Sequence, residues 1–258
     1  MANFFPRWTN TLTLQIIVAL GVLGAGVTLA VTYYFTPKYT RVGYQPDQPV
    51  PYDHKLHVGQ LGLDCRYCHS FVEETGHANV PSASTCWNCH QHVKSDSPLL
   101  EPIRKAADKN FEGYDGLPVE WVRVHRAPDY VYFDHSAHVN RGVSCVSCHG
   151  DVHNMEVVYH AESHSMSWCL DCHRAPENHL RPLDKVFDLA WKPEDLSRED
   201  FMKYLTEKAG AERAGELLPE PRGNKADEPL SQKEIGTALK HLWAINPPSP
   251  NNCAGCHR

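Results

Sequence analysis

Five copies of one pentapeptide take up every cysteine in the chain: Cys65-Arg-Tyr-Cys68-His69, Cys86-Trp-Asn-Cys89-His90, Cys145-Val-Ser-Cys148-His149, Cys169-Leu-Asp-Cys172-His173 and Cys253-Ala-Gly-Cys256-His257. Cys-x-x-Cys-His is the attachment pattern of c-type haem. Two thiols a short turn apart can add to the two vinyl groups of one porphyrin, and the histidine that follows then sits under the iron as an axial ligand. Zinc sites take four ligands of mixed origin and do not need a histidine after every second cysteine. Disulfides also use an even number of cysteines, but they do not repeat one pentapeptide. The pattern therefore predicts five covalent haems, with His69, His90, His149, His173 and His257 as the proximal iron ligands.

That expectation governs the fold. A chain of 258 residues ordinarily forms one or two domains, yet this one is only 41% hydrophobic and contains 19 prolines. Buried porphyrin faces can supply the missing apolar surface. The expected architecture is a multihaem cytochrome c, mostly α and irregular with little regular sheet. Its core is built on five covalent haems, and one N-terminal transmembrane helix is attached. The formal charge of −6 leaves out the haem propionates, which add further acidity. No basic patch supports nucleic-acid binding.

Thr9 to Pro37 carries no charged residue. Within it, Leu12–Phe35 spans 24 residues. As a helix it reaches about 36 Å, enough for a hydrocarbon layer of roughly 30 Å. Arg7 precedes it, and Tyr33, Tyr34 and Phe35 mark an interfacial end. The stretch is long for the apolar part of a cleaved secretion signal, so an uncleaved anchor is expected. Gly21, Gly24, Ala25 and Gly26 would let a second helix approach closely. Lys38 and Arg41 weaken any orientation argument from charge. Haem c is attached outside the cytoplasm, which places everything after Pro37 in the periplasm of a bacterial inner-membrane, single-pass protein.

The chain divides into a cytoplasmic N-terminus (1–11), the transmembrane anchor (12–36) and a linker (37–51). A first two-haem module with its connecting stretch (52–131), a second two-haem module (132–180) and a helical arm ending in the fifth haem site (181–258) complete it. The modules are a repeat. Tyr52-Asp53-His54-Lys55-Leu56-His57 leads into the first motif and Phe133-Asp134-His135-Ser136-Ala137-His138 into the third. A further motif follows 21 and 24 residues on, and Trp87 and Trp168 recur beside it. In the arm, 193–218 reads as one or two short charged helices. Ser231-Gln-Lys-Glu234 forms a capping box opening a helix with Ile235, Leu239 and Leu242 on one face. Proline and asparagine within 247–252 are expected to end it. The arm suits either a lid over the haem core or a strap around a partner.

Seventeen histidines leave twelve beyond the motifs. The doublets His54/His57 and His135/His138 project to one side of a helical turn, and their place in the repeat marks them as distal iron ligands, one per haem. Met166, just before Cys169, is the candidate thioether ligand of the remaining iron. Methionine raises a haem's potential relative to histidine, though a methionine can also simply fill a gap. Met155 is a weaker version of the same idea, and His125 and His77 are alternative distal ligands. No catalytic residue is expected, because every motif ends in histidine and no iron position is left open by an altered motif.

The stretches HKLHVGQLGLDCRYCHSFVE, VPSASTCWNCHQHVKSDSPLLEPIR, WVRVHRAPDYVYFDHSAHVNRGVSCVSCHGDVHNM and SMSWCLDCHRAPE resemble the pentahaem cytochrome c subunit of alternative complex III, a bacterial quinol:acceptor oxidoreductase. The resemblance covers roughly residues 50–183, the anchor and the final NCAGCHR. The His-x-x-His elements are also similar to those of class III and triheme cytochromes. This resemblance implies a membrane-anchored relay. Electrons would come from multi-span quinol-oxidising membrane subunits by way of an iron–sulfur subunit, and pass to a monohaem cytochrome c or a terminal oxidase. An independent membrane-anchored quinol dehydrogenase of the small tetrahaem type is the alternative. A reductase of nitrite or a similar oxyanion is disfavoured by the five intact motifs. The denatured mature protein should exceed its 29.1 kDa polypeptide by five haem masses, and four or fewer would refute the count.

Overall fold

The computed structural model describes residues 6, 8–35, 40–219, 229–248 and 252–257. Arg7, Lys38 and residues 249–251 of the expected helix stop lie outside them. The chain divides into two units, Met1–Val42 and Gly43–Arg258.

In the first unit, α1 (Thr9–Ala30) runs on into a π-helical turn, Val31–Phe35. The 23-residue stretch Thr11–Tyr33 is strongly apolar and entirely unburied. Leu14, Ile17, Leu20, Val22, Leu23 and Leu29 are all exposed, so the helix is apolar on every side rather than on one stripe. Such a surface suits lipid better than water, and the helix is a candidate membrane anchor. The Thr32 hydroxyl donates to the Thr28 carbonyl at 2.6 Å, which keeps its polar group satisfied within the helix.

The second unit is built from short helices: α2 (Cys65–Cys68), α3 (Ala83–His90), α4 (Glu101–Ala107), α5 (His135–Val139), α6 (Val146–His149) and α7 (Met166–Arg174). Then come α8 (Arg198–Ala209), α9 (Ala211–Leu217) and α10 (Gln232–Leu242). Among the described residues no β-strand forms, and the isolated bridges Val131–His257 and Val143–Leu180 are the traces of sheet. Local capping starts several of these helices. The Asp64 carboxylate accepts from the Arg66 amide (2.8 Å), and Asp134 accepts from the Ser136 and Ala137 amides. The Ser165 hydroxyl accepts from the Trp168 amide. Each cap satisfies an amide that the helix itself leaves without an acceptor.

The segment after Gly43 is extended, as its prolines suggest, but it is pinned along its length. The Gly43 amide donates to His160 O and the His160 amide to Tyr44 O, at 2.8 and 2.9 Å. The Gln48 side chain clamps Val122 through both its amide and its carbonyl. The two sequence repeats also interlock. The turn after the first motif offers Glu73, Thr75 and Gly76 carbonyls to Asn140, Ser136 and His135 of the second repeat. Val72, Val139 and Val186 share a buried cluster at the same seam.

The arm has a core of its own without porphyrin. Phe201 and Leu205 of α8, Ala214 of α9, and Ile235, Ala238 and Leu239 of α10 bury together with Leu180, Trp191, Leu218 and Leu230. The charged region expected over 193–218 forms two helices after a 3₁₀ turn. The capping box at Ser231 forms too, with Glu234 returning to the Ser231 amide at 2.9 Å. The α10 helix docks on residues 176–180, the segment directly after the fourth motif. Gln232 donates to the Glu177 and Leu180 carbonyls and Lys240 pairs with Glu177 at 2.9 Å. Gly236 makes this approach possible, since a Cβ there would overlap the Glu177 carbonyl. Gly236→Ala should therefore destabilise the arm by about 1–3 kcal/mol through overpacking. Limited proteolysis should become faster within 193–245 while haem content stays unchanged, and unaltered protection would show that the contact is not tight.

Candidate haem-ligand sites

The two repeats build the same object. Tyr52 lies edge-on to His54 (4.7 Å, 84°) and stacks on His57 (4.5 Å, 23°). Phe133 lies edge-on to His135 (4.8 Å, 86°) and stacks on His138 (4.8 Å, 27°). In each repeat the second imidazole donates its Nδ1–H to the carbonyl of the aspartate four residues earlier: His57 to Asp53 and His138 to Asp134, both at 2.7 Å. A carbonyl can only accept, so the proton lies on Nδ1 and Nε2 keeps its lone pair. Ligand imidazoles are oriented in this way, and the same bond raises their basicity.

Three pairs of imidazoles then face each other across similar gaps. His57 and His90 have centroids 6.2 Å apart, His135 and His149 6.3 Å, and His138 and His173 6.2 Å. Two imidazoles bound on opposite sides of one metal, with metal–nitrogen bonds of about 2 Å each, have centroids about 6.3 Å apart. The chain thus spaces its rings for a six-coordinate iron, and these residues fit haem. His149 and His164 are also 6.2 Å apart. There, however, the His164 Nε2 is hydrogen-bonded to the Cys148 carbonyl at 2.8 Å and is not available to a metal.

The proximal imidazoles are oriented by the same device. His69 Nδ1 donates to the Asn79 carbonyl at 2.6 Å and His90 Nδ1 to Val93 O at 2.9 Å. Asn79 adopts a left-handed conformation (φ 74°), a region asparagine tolerates better than most residues. His135 Nδ1 donates to Gly76 O at 2.8 Å, whereas the Nδ1 of His54 is buried without a protein partner. Burial, reinforced by His69 and His57, lowers the His54 pKa to about 4. His149 is likewise lowered well below the usual imidazole range, mainly by burial and then by His125 and His164. Both rings are therefore neutral at physiological pH, the form that binds iron.

Beside the fifth motif, Tyr130 lies 5.7 Å from His257 at 28°, and the Tyr132 amide holds the Cys256 carbonyl at 2.8 Å. Met166 opens α7 and is 58% exposed, without the packing expected of a gap-filler. It lies three residues before Cys169 and so on the same side of the helix. Burial chiefly, and then the neighbouring Cys256 thiol, raises the Cys169 pKa. Met155 is buried in packing, with its methyl group near Gly150. His125 lies edge-on to His149 at 4.4 Å, too close for two rings on opposite sides of one iron. It forms a cluster with His160 and His164 at 5.1 and 5.7 Å. His77 has its amide capped by the Thr75 hydroxyl. Sequence reasoning missed the roles of Tyr52 and Phe133, although each stands two residues before its doublet, and it missed the cluster of His125, His160 and His164. All ten cysteines are free of disulfides.

Residues 131–192 match the family described as cytochrome c7 and related cytochrome c. The chain is also similar to the protein named menaquinone reductase, multihaem cytochrome c subunit, from Nitratidesulfovibrio vulgaris. The two are 33% identical over 156 residues, covering 53% of this chain and 71% of the relative.

Proposed function

This chain belongs to the multihaem cytochrome c family, and we propose that it is the membrane-anchored electron relay of a quinone-linked respiratory complex. Covalent haem c and a role in electron transport follow from the family. The finer reading is that all five motifs are loaded. The observation that carries it is the repeated imidazole spacing of 6.2–6.3 Å, with Nδ1 held on carbonyls at His57, His135 and His138. The assigned pairs are His57 with His90, His135 with His149 and His138 with His173. The repeat extends this to His54 with His69, and Met166 is assigned to the site of His257.

When bound, haem supplies a one-electron iron couple. The protein's own residues hold two ligand atoms at a fixed separation, which limits rearrangement between the ferrous and ferric states and keeps small molecules off the metal. The Nδ1 bonds make the imidazoles more basic. A thioether at the fifth site would set that site at a higher potential than its neighbours.

The partners proposed are multi-span membrane subunits and an iron–sulfur subunit on one side, and a monohaem cytochrome c or terminal oxidase on the other, as in alternative complex III. The haem unit is placed in the periplasm. The name of the relative favours a second reading of direction, in which electrons run inward to reduce menaquinone. Purification from native membranes tests the relay: the chain should co-purify with several integral subunits, whereas an independent quinol dehydrogenase would be isolated alone and active. The ligand assignment has its own test. His135→Ala should convert one haem to high spin without losing it, because the thioethers remain. An unchanged low-spin spectrum would refute His135 as a ligand.

A further inference from the structure

We propose that the five attachment sites stand in the spatial order second, first, third, fourth, fifth, so that the second and fifth motifs are the two ends of the relay at which electrons enter and leave. This rests on the reading that all five motifs carry haem. The order differs from that along the chain, and contacts of the protein itself support each neighbour relation.

The second and first motifs touch directly, through residues between their cysteines. The Asn88 side-chain amide donates to the Tyr67 hydroxyl at 3.3 Å. The doublet of the first repeat spans the same two sites. His57 faces His90, while His54, one turn away, lies edge-on to the same Tyr52.

The first and third motifs meet at the seam between the repeats. His135 faces His149 but takes its orienting bond from Gly76, in the turn that follows the first motif. The Asn140 and Ser136 bonds to the Glu73 and Thr75 carbonyls tie the same two segments together. Among the described residues no hydrogen bond or ring contact joins residues 86–90 to 145–149.

From the third site to the fourth, α5 repeats the arrangement of the first doublet, with His135 opposite His149 and His138 opposite His173. His164, bonded to the Cys148 carbonyl, lies against Trp168 beside Cys169, with ring centroids 5.1 Å apart. His173 of the fourth motif and Asn252, the residue before Cys253 of the fifth, line one cavity of about 600 Å³.

The repeats therefore meet head to head through their first sites, giving 2–1 against 3–4, rather than standing in series. A hop along this line moves one electron and makes or breaks no bond, so the donor and acceptor need only reach the two ends.

The test uses the full-length, haem-loaded protein in detergent with two variants, His57→Met and His54→Met. Methionine ligation raises the potential of the one substituted haem. At a potential where that haem is ferrous and its bis-imidazole neighbours are ferric, it becomes diamagnetic. Each adjacent haem then loses a magnetic coupling, visible by electron paramagnetic resonance against the unsubstituted protein. Substitution at the second site should alter one neighbouring signal, and at the first site two. The reverse counts, two and one, would establish chain order and overturn the proposal. If either variant fails to mature, iron positions in a cryo-electron microscopy map of the native protein decide. The two irons nearest the first site should be those of the second and third, and a second iron closer to the third than the first is would refute the order. A missing iron would refute the five-haem reading instead, which separates the two failures.

Discussion

A backbone carbonyl holding an imidazole by its Nδ1 proton is the interaction on which the haem unit depends. It appears at His57, His69, His90, His135 and His138, with acceptors drawn from Asp53, Asn79, Val93, Gly76 and Asp134. Each bond does three things: it selects the tautomer, aims Nε2, and raises ligand basicity. It also explains much of the irregular backbone. The turns at 73–79 and 91–94 place carbonyls where a regular helix would have turned them along its own axis. Asn79 and Lys94 take left-handed conformations in those turns.

The chain solves the problem of a small apolar fraction in two ways. Around the motifs, buried clusters are small: Val50, Leu100 and Ile103 with Trp87 and Trp121 behind α3, and Val72, Val139 and Val186 at the seam. Porphyrin faces would supply the further hydrophobic contact there. The arm has no motif between Arg181 and Asn252, and it buries aliphatic and aromatic side chains in the ordinary manner. The boundary between these regimes falls at Leu180, which belongs to the arm's core and is bridged to Val143 beside the third motif.

Much of this was legible in the sequence because the chemistry is local. Five pentapeptides mark the thiols and imidazoles proposed to hold haem, and the repeated doublets mark the rings that lie 6.2–6.3 Å from three of those imidazoles. The uncharged run from Thr9 pointed to the apolar helix, and Ser231 with Glu234 to the start of α10. What was not legible depends on contacts between distant residues. Nothing at Gly76 announces that its carbonyl serves His135, 59 residues away. The clamp of Gln48 on Val122 is equally silent, as is the requirement that residue 236 lack a side chain. The order proposed for the motifs is of this kind too, since chain order suggests a different line.

The dependence of His135 on Gly76 has a consequence for how the protein comes into being. One copy of the repeat orients an imidazole of the other, and the Asn140 and Ser136 bonds to Glu73 and Thr75 tighten the same seam. The copies are then no longer separable genes' worth of protein. Either half folded by itself would keep its cysteines, but the His135 ring would lose the carbonyl that aims it, so the second repeat reaches its final geometry only with the first in place.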